Sequence, residues 1–314
     1  RGHADSKRAH GGHELVYDGD MTDYVMPTQP PREGWDLHCH TVFSDGTRTP
    51  RQLLEEARDR GLHGVAIADH DTTAGWEQAM HAAEELHFPL MRGTEITAQC
   101  GCVSVHMLAY LYDPNNRQIS ELFEKTRRAR VARTKKMVEL LSKDYPITWQ
   151  SVLEQVKEGS RTTIGRPHIA DALVAAGVYK DRSEAFAHAV RTGSKYYIPT
   201  PSPSASEVVN AVKDAGGVSV VAHAADPSRN LTLLSDAQIE ELAGEGLGGL
   251  EVWHRGNPES ERARLLELAE RYDLLVTGGS DWHGAGKPNE LGENLTDDAT
   301  VREIVRRGAI SLCD

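Results

Sequence analysis

A chain of 314 residues can bury one large α/β core and still carry an insertion. Its formal net charge of −12 excludes a nucleic-acid coat or an anionic-membrane binder over most of the surface. No apolar run approaches the roughly 20 residues of a membrane span, and the four cysteines make no disulfide framework, so a reducing cytoplasm is the expected compartment.

In chain order, residues 1–34 read as a polar tail with solvated histidines and no signal-peptide core. Trp35 to His40 reads as the first strand. Further apolar runs occupy 64–69, 89–97, 103–112, 217–224, 249–253, 274–281 and 309–313. Amphipathic segments at 50–60, 74–87, 204–215, 236–244, 258–272 and 299–307 separate most of them. Thr49-Pro50 and Asn257-Pro258 mark helix starts, with proline in the first helical position. This alternation predicts parallel strands joined by crossover helices, in an open sheet or a barrel. Cys100 and Cys102 lack the second pair a zinc site needs and read as strand residues. The glycine-rich stretch 245–251 reads as a tight turn into a strand, since no dinucleotide-binding helix follows it.

Residues 113–198 break the alternation. They show only helical patterns, at about 117–143, 148–157, 166–176 and 181–191. This segment holds 16 Lys and Arg against 10 Asp and Glu, net +6, and the remainder holds 19 against 37, net −18. A basic helical insert in an acidic domain suggests a lid over an anionic substrate; a plain solvated helix face is the other reading.

The stretch "DLHCHTVFSDG" at 36–46 carries the chemistry. Side chains two apart on a strand point to one side, so His38 and His40 converge while Cys39 faces away. Similar residues stand at the other strands: His70 and Glu95 end the second and third, and His106 lies in the fourth. His223 ends the fifth, and Asp281 with His283 closes the last. Barrel sites gather at the C-terminal ends of strands, where these residues would form a metal chelate.

In order and spacing, "DLHCHTVFSDG", "ADHD", "GTEIT", "VVAH" and "GSDWH" resemble the polymerase-and-histidinol-phosphatase (PHP) family of phosphoesterases, from about residue 35 to the C-terminus. The resemblance implies an α/β fold: a distorted seven-stranded (β/α) barrel over 35–112 and 199–314, with 113–198 as a helical insertion. "GRPHIADALVAAG" (165–177) and "KYYIP" (195–199) resemble the branch that removes the 3′-phosphate from 3′,5′-nucleotide bisphosphates; relatives there also degrade short RNA 5′→3′. Those relatives usually follow the fifth-strand histidine with proline. Ala224 stands there in this chain, which implies an altered local backbone with the ligand kept.

The same resemblance implies three divalent ions. His38, His40, Glu95 and Asp281 would hold the first, Glu95 with His106 and His223 the second, and Asp45, His70 and His283 the third. Imidazoles with a few carboxylates suit Mn2+, Fe2+ or Zn2+ better than Mg2+ or Ca2+. A metal-bound hydroxide would attack a phosphate monoester. Arg166 is the expected bidentate phosphate clamp, with His168 and Lys195 as further substrate contacts and His254 as candidate general acid. Asp69 and Asp71 are expected to orient His70. The expected partner is a small phosphorylated substrate, a nucleotide or short RNA, with no membrane and no obligate protein partner. Alternatives are a histidinol-phosphatase-like monoesterase, an amidohydrolase-type C–N hydrolase, and a non-enzymatic module like those attached to polymerases. The C–N hydrolases tend to use a modified lysine where this chain has His106, and a degenerate module would lack ligands that are all present here.

Overall fold

The computed structural model describes residues 24–156, 163–229 and 232–314, so the tail histidines lie outside the described residues. Seven strands form one sheet in sequence order: β1 (Trp35–Cys39), β2 (Gly64–Ile67), β3 (Leu90–Cys100), β4 (Val103–Tyr110), β5 (Val218–Val221), β6 (Gly249–Trp253) and β7 (Leu275–Gly278). The segment after β7 returns to β1: the His40 amide donates to Trp282 O at 2.9 Å, and the Trp282 amide donates to His38 O at 3.2 Å. The sheet is thereby a nearly closed barrel.

Helices α1 (Pro50–Asp59) and α2 (Trp76–Leu86) connect the first three strands. Helices α7 (Ala205–Asp214), α8 (Asp236–Glu245), α9 (Glu259–Arg271) and α10 (Asp298–Arg307) accompany the last three. Local chemistry sets their starts. Thr49 and Gln52 form a capping box ahead of Pro50, and Ser204 with Glu207 and Ser235 with Gln238 do the same for α7 and α8. Pro258 departs from expectation: it is the N-cap of α9, and Glu259 opens the helix.

Alternate strand residues divide between two buried clusters. Val65, Ile67, Met107 and Val221 pack with helices α1, α2 and α7 to α9, whereas Ala66, Ala68, Leu108 and Val220 join Val301 and Ile304 of α10.

Two expectations are corrected. β4 runs antiparallel to both β3 and β5, within an otherwise parallel sheet. Only Gly101 and Cys102 separate β3 from β4, and Gly101 has φ +58°; a parallel crossover needs a dozen or so residues, so this loop can only make a hairpin. The hairpin also extends β3 five residues past Glu95, which therefore sits mid-strand and not at its end. The second correction is the run 309–313, which is no strand. β4 covers β3 only as far as Gly93, and Cys313 fills the open position at Leu90 with a single antiparallel bridge.

Between β4 and α7 lie α3 (Arg117–Leu141), α4 (Trp149–Leu153), α5 (Arg166–Ala175) and α6 (Arg182–Ala187), with no strand among the described residues. They have their own buried cluster, including Met137, Leu141, Ile164, Ile169, Leu173 and Val190. The insert meets the barrel through polar contacts at the mouth. Arg127 donates to Asp71 O at 2.7 Å, Arg130 to the Asp71 carboxylate at 2.6 Å, and Arg182 to Asp45 O at 2.8 Å.

Candidate metal centre

Glu95, 1% exposed, is the hub. Its Oε1 lies 2.7 Å from His106 Nδ1 and 3.1 Å from His223 Nε2. Its Oε2 faces His40 Nε2 at 3.1 Å, His70 Nδ1 at 3.3 Å and His38 Nε2 at 3.4 Å. The antiparallel turn of β4 makes this possible, because it sets the early residue His106 opposite Thr97, beside the C-terminal half of β3. Asp281 Oδ1 faces His40 at 3.3 Å, His283 at 3.5 Å and His38 at 3.6 Å. Asp45 reaches His283 at 3.1 Å, His70 at 3.7 Å and His40 at 3.8 Å.

Three groups have donor atoms close enough to share an ion: His38, His40, Glu95 and Asp281; His40, Asp45, His70 and His283; and His70, Glu95 and His106. The first is the expected set. The second adds His40 to its expected set, and the third has His70 in place of His223. His223 still reaches Glu95, although its backbone stands at φ +32° ahead of Ala224.

The electrostatics are those of crowded donors. Burial would raise Glu95, yet His106, His70 and His38 hold it well below the usual carboxylate range. Asp45 and Asp281 are likewise held down against burial, the first chiefly by His283 and the second by Lys287 and Arg229. Burial would lower His40, but Asp281, Glu95 and Asp45 push it up to about 9. Burial and Lys287 push His283 down to about 4. His38 Nε2, both nitrogens of His40, His70 Nδ1 and His283 Nε2 are buried without a hydrogen-bond partner. Orphaned imidazole nitrogens among carboxylates are the donor set of a divalent transition metal, and the site fits such ions.

Supporting residues hold these side chains in place. Glu251 of β6, fully buried, meets His38 Nδ1 at 2.9 Å and accepts the His223 amide at 2.5 Å. Gly279 permits the close approach, since a Cβ there would lie 2.4 Å from His38 Cβ and 2.7 Å from Glu251 Oε1. Asp281 Oδ2 accepts from Arg229 at 2.5 Å and Lys287 at 2.7 Å, which leaves Oδ1 to the histidines. Asp69 accepts from Thr41 N, Thr41 Oγ1 and Ser44 Oγ at 2.6–2.8 Å, so it braces the loop that carries Asp45. Asp71, at φ +51°, binds Arg130 of the insert. Asp69 and Asp71 thus anchor the backbone on either side of His70. Glu251, Arg229, Lys287, Arg130 and Arg182 were absent from the sequence-derived site. Glu251 carried a signal, a lone charge inside the apolar strand "GLEVW".

The expected substrate residues divide. His254 is buried next to His223, with ring centroids 5.5 Å apart; its Nδ1 accepts from Gly256 N, and its Nε2 has no partner. His168 is buried near Asp45, and its Nδ1 accepts from Gly165 N at 3.2 Å. Arg166 is half-buried and feels the charges of Arg130 and Arg229. Lys195 does not join them: its exposed ammonium pairs with Asp144 at 2.8 Å, beyond the end of α3.

Residues 36–192 match the family described as PHP domain. A 5′-3′ exoribonuclease of Haemophilus influenzae is 28% identical over 263 residues, 83% of this chain and 94% of that protein. A 3′,5′-nucleoside bisphosphate phosphatase of Chromobacterium violaceum is 27% identical over 259 residues, 80% of this chain and 88% of that protein. A crystal structure from Bifidobacterium adolescentis, described as a proposed metal-dependent phosphoesterase, is 70% identical with a TM-score of 0.88, covering 90% of this chain and 98% of that one. The family match and these likenesses agree with the donor set: the chain belongs to the PHP domain family and is a metal-dependent phosphoesterase.

Proposed function

We propose that this chain removes the 3′-phosphate from 3′,5′-nucleotide bisphosphates, with three divalent ions drawn from Mn2+, Fe2+ and Zn2+. The observation that carries this reading is the meeting, at one mouth, of the Glu95-centred donor cluster with arginines of the insert and of the loop after β5. His38, His40, Glu95 and Asp281 would hold one ion, Glu95, His106 and His223 a second, and Asp45, His70 and His283, beside His40, a third. When bound, such ions neutralise phosphate charge and activate water near neutral pH.

The chain's own residues do the rest. Arg166 binds substrate phosphate, aided by the field of Arg130 and Arg229. His168, on the first turn of α5, lines the Asp45 side. Because His254 Nδ1 accepts a backbone N–H, its proton sits on Nε2, where it faces the leaving oxygen. Burial lowers its affinity for a second proton and a phosphate dianion alongside raises it. Taking that proton on Nδ1 breaks the Gly256 bond, and the imidazolium then gives its Nε2 proton to the leaving oxygen.

Relatives named 5′-3′ exoribonucleases favour a second reading, in which the phosphate belongs to a short RNA end. Four free cysteines fit a reducing cytoplasm as the working compartment. Among the described residues, no helix is long and apolar enough to cross a membrane.

Steady-state kinetics on a panel of nucleoside 3′,5′-bisphosphates, histidinol phosphate and short RNAs tests the reading. The bisphosphates should lead in kcat/KM by at least about tenfold. Preference for histidinol phosphate, or for RNA over every mononucleotide, overturns it.

A further inference from the structure

The braces around the donor cluster come from two sources. Glu251 of β6 holds His38 and the His223 amide, and Arg229 and Lys287 hold Asp281. These braces belong to the barrel and its loops, and they serve the group of His38, His40, Glu95 and Asp281.

The group of His40, Asp45, His70 and His283 is gripped by the insert as well. Thr163 Oγ1 donates to Phe43 O at 3.1 Å, and Arg182 Nη1 donates to Asp45 O at 2.8 Å. Both contacts fix the loop that carries Asp45. The same Nη1 lies against the loop after β7, where a Cβ at Gly286 would stand 2.5 Å from it. His283 belongs to that loop, and the Thr47 amide ties it to the Asp45 loop by donating to His283 O at 3.0 Å. At the third loop, Arg127 and Arg130 hold Asp71 beside His70.

Asp171 of α5 aims Arg182. Its Oδ1 accepts from Nε at 2.8 Å and its Oδ2 from Nη2 at 2.5 Å, a two-pronged pair that leaves Nη1 to Asp45. The three loops therefore have two common partners: the insert, which grips them, and an ion, which would join their side chains. Two partners that favour one arrangement of the same loops strengthen each other's binding, and by equal factors.

We propose that Arg182, aimed by Asp171, is a positioning residue through which the insert sets the affinity of one divalent ion, that of the His40, Asp45, His70 and His283 group. The ion of the barrel-braced group binds independently of it. The proposal rests on the three-ion reading given above, whereas the grip on the loops is independent of any substrate.

Titration of the metal-free full chain with Mn2+, counting free and bound ion by electron paramagnetic resonance, tests it. R182M should weaken one ion about 10- to 100-fold and leave the affinity of the others unchanged. R182K should restore part of the loss, and D171N should weaken the same ion by a smaller factor. Binding of every ion as in wild type, or an equal loss of all of them, overturns the proposal. If R182M fails to fold, D171N alone decides on the same two criteria. Reciprocity supplies a second readout: amide exchange in α5 and α6 should slow when the weakest ion binds to wild type, and should not in R182M. Exchange that ignores that ion in wild type overturns the coupling. A wild type that binds fewer than three ions removes the three-ion reading. An Arg182-dependent ion among those that do bind would still keep the coupling.

Discussion

Replacing Glu251 by glutamine separates geometry set by the barrel from geometry set by the ion. In the wild type, Oε1 meets His38 Nδ1 at 2.9 Å and Oε2 accepts the His223 amide at 2.5 Å. A carboxylate accepts at both oxygens, so with an ion bound His38 would keep its proton on Nδ1 and offer a bare Nε2 on the side of Glu95 and Asp281. Glutamine keeps the shape but has one acceptor. The His223 backbone N–H cannot change, so the amide oxygen stays with it and the NH2 group faces His38. The imidazole proton must then move to Nε2, the atom that faces the other ligands. Losing the ligating tautomer should weaken metal binding about 10- to 100-fold, or about 1.4–2.8 kcal/mol. Alanine would act differently, leaving two buried N–H groups unsatisfied at about 1–3 kcal/mol each. Chelator competition with metal counted per chain measures the first effect, and melting of the metal-free proteins measures the second. E251Q with wild-type metal affinity would refute the tautomer argument, and E251A melting like wild type would refute the packing argument.

Asp281→Asn or His38→Ala should lose metal and lower turnover by several orders of magnitude with the fold retained; near-wild-type turnover at full loading means the ligand assignment is wrong. Arg166→Ala should keep its metal and lose kcat/KM roughly 30- to 1000-fold, with Arg166→Lys recovering part. A lower melting temperature with kcat/KM intact would make Arg166 a packing residue instead. Hydrogen bonds from Arg306, and against burial from Arg307, hold Glu303 down to about 2 in the folded chain, below its ordinary 4.5. The stability this adds is therefore present above about pH 4.5 and lost as pH falls toward 2, and with exposed partners it amounts to no more than about 1 kcal/mol. Urea melts of wild type and Glu303→Gln should converge on acidification, and a gap that widens instead counts against the pairing.

Much of this was legible because strand ends and helix caps are written locally. Thr49-Pro50 announces α1, and histidines and carboxylates recur wherever an apolar run stops. Strand direction is not written that way, since alternation of strand and helix says nothing about polarity. The clue to β4 was the two-residue gap at Gly101-Cys102, too short for any crossover. The apolar run 309–313 misled because it pairs at one position only, where β4 leaves Leu90 uncovered. Arg229, Lys287 and Arg182 could not be read, because their roles depend on Asp281, Asp45 and Asp171, brought to them only by the closed barrel and its insert.

Three non-glycine residues with positive φ cluster at the centre: Asp71, His223 and Asp281, at +51°, +32° and +55°. Such backbone costs about 1–3 kcal/mol per residue and persists only where neighbours over-determine it. Each has its clamp. Arg130 and Arg127 hold Asp71, Glu251 holds the His223 amide, and Arg229 with Lys287 holds Asp281. Two of these clamps belong to the insert, and a third insert residue, Arg182, holds the carbonyl of Asp45. The insert therefore does more than pack around its own core. It braces backbone beside His70 and Asp45, two residues of the candidate metal groups. Contacts at Asp71 and Asp45 that fix the insert on the barrel therefore also hold the backbone of the donor cluster, so loosening one loosens the other.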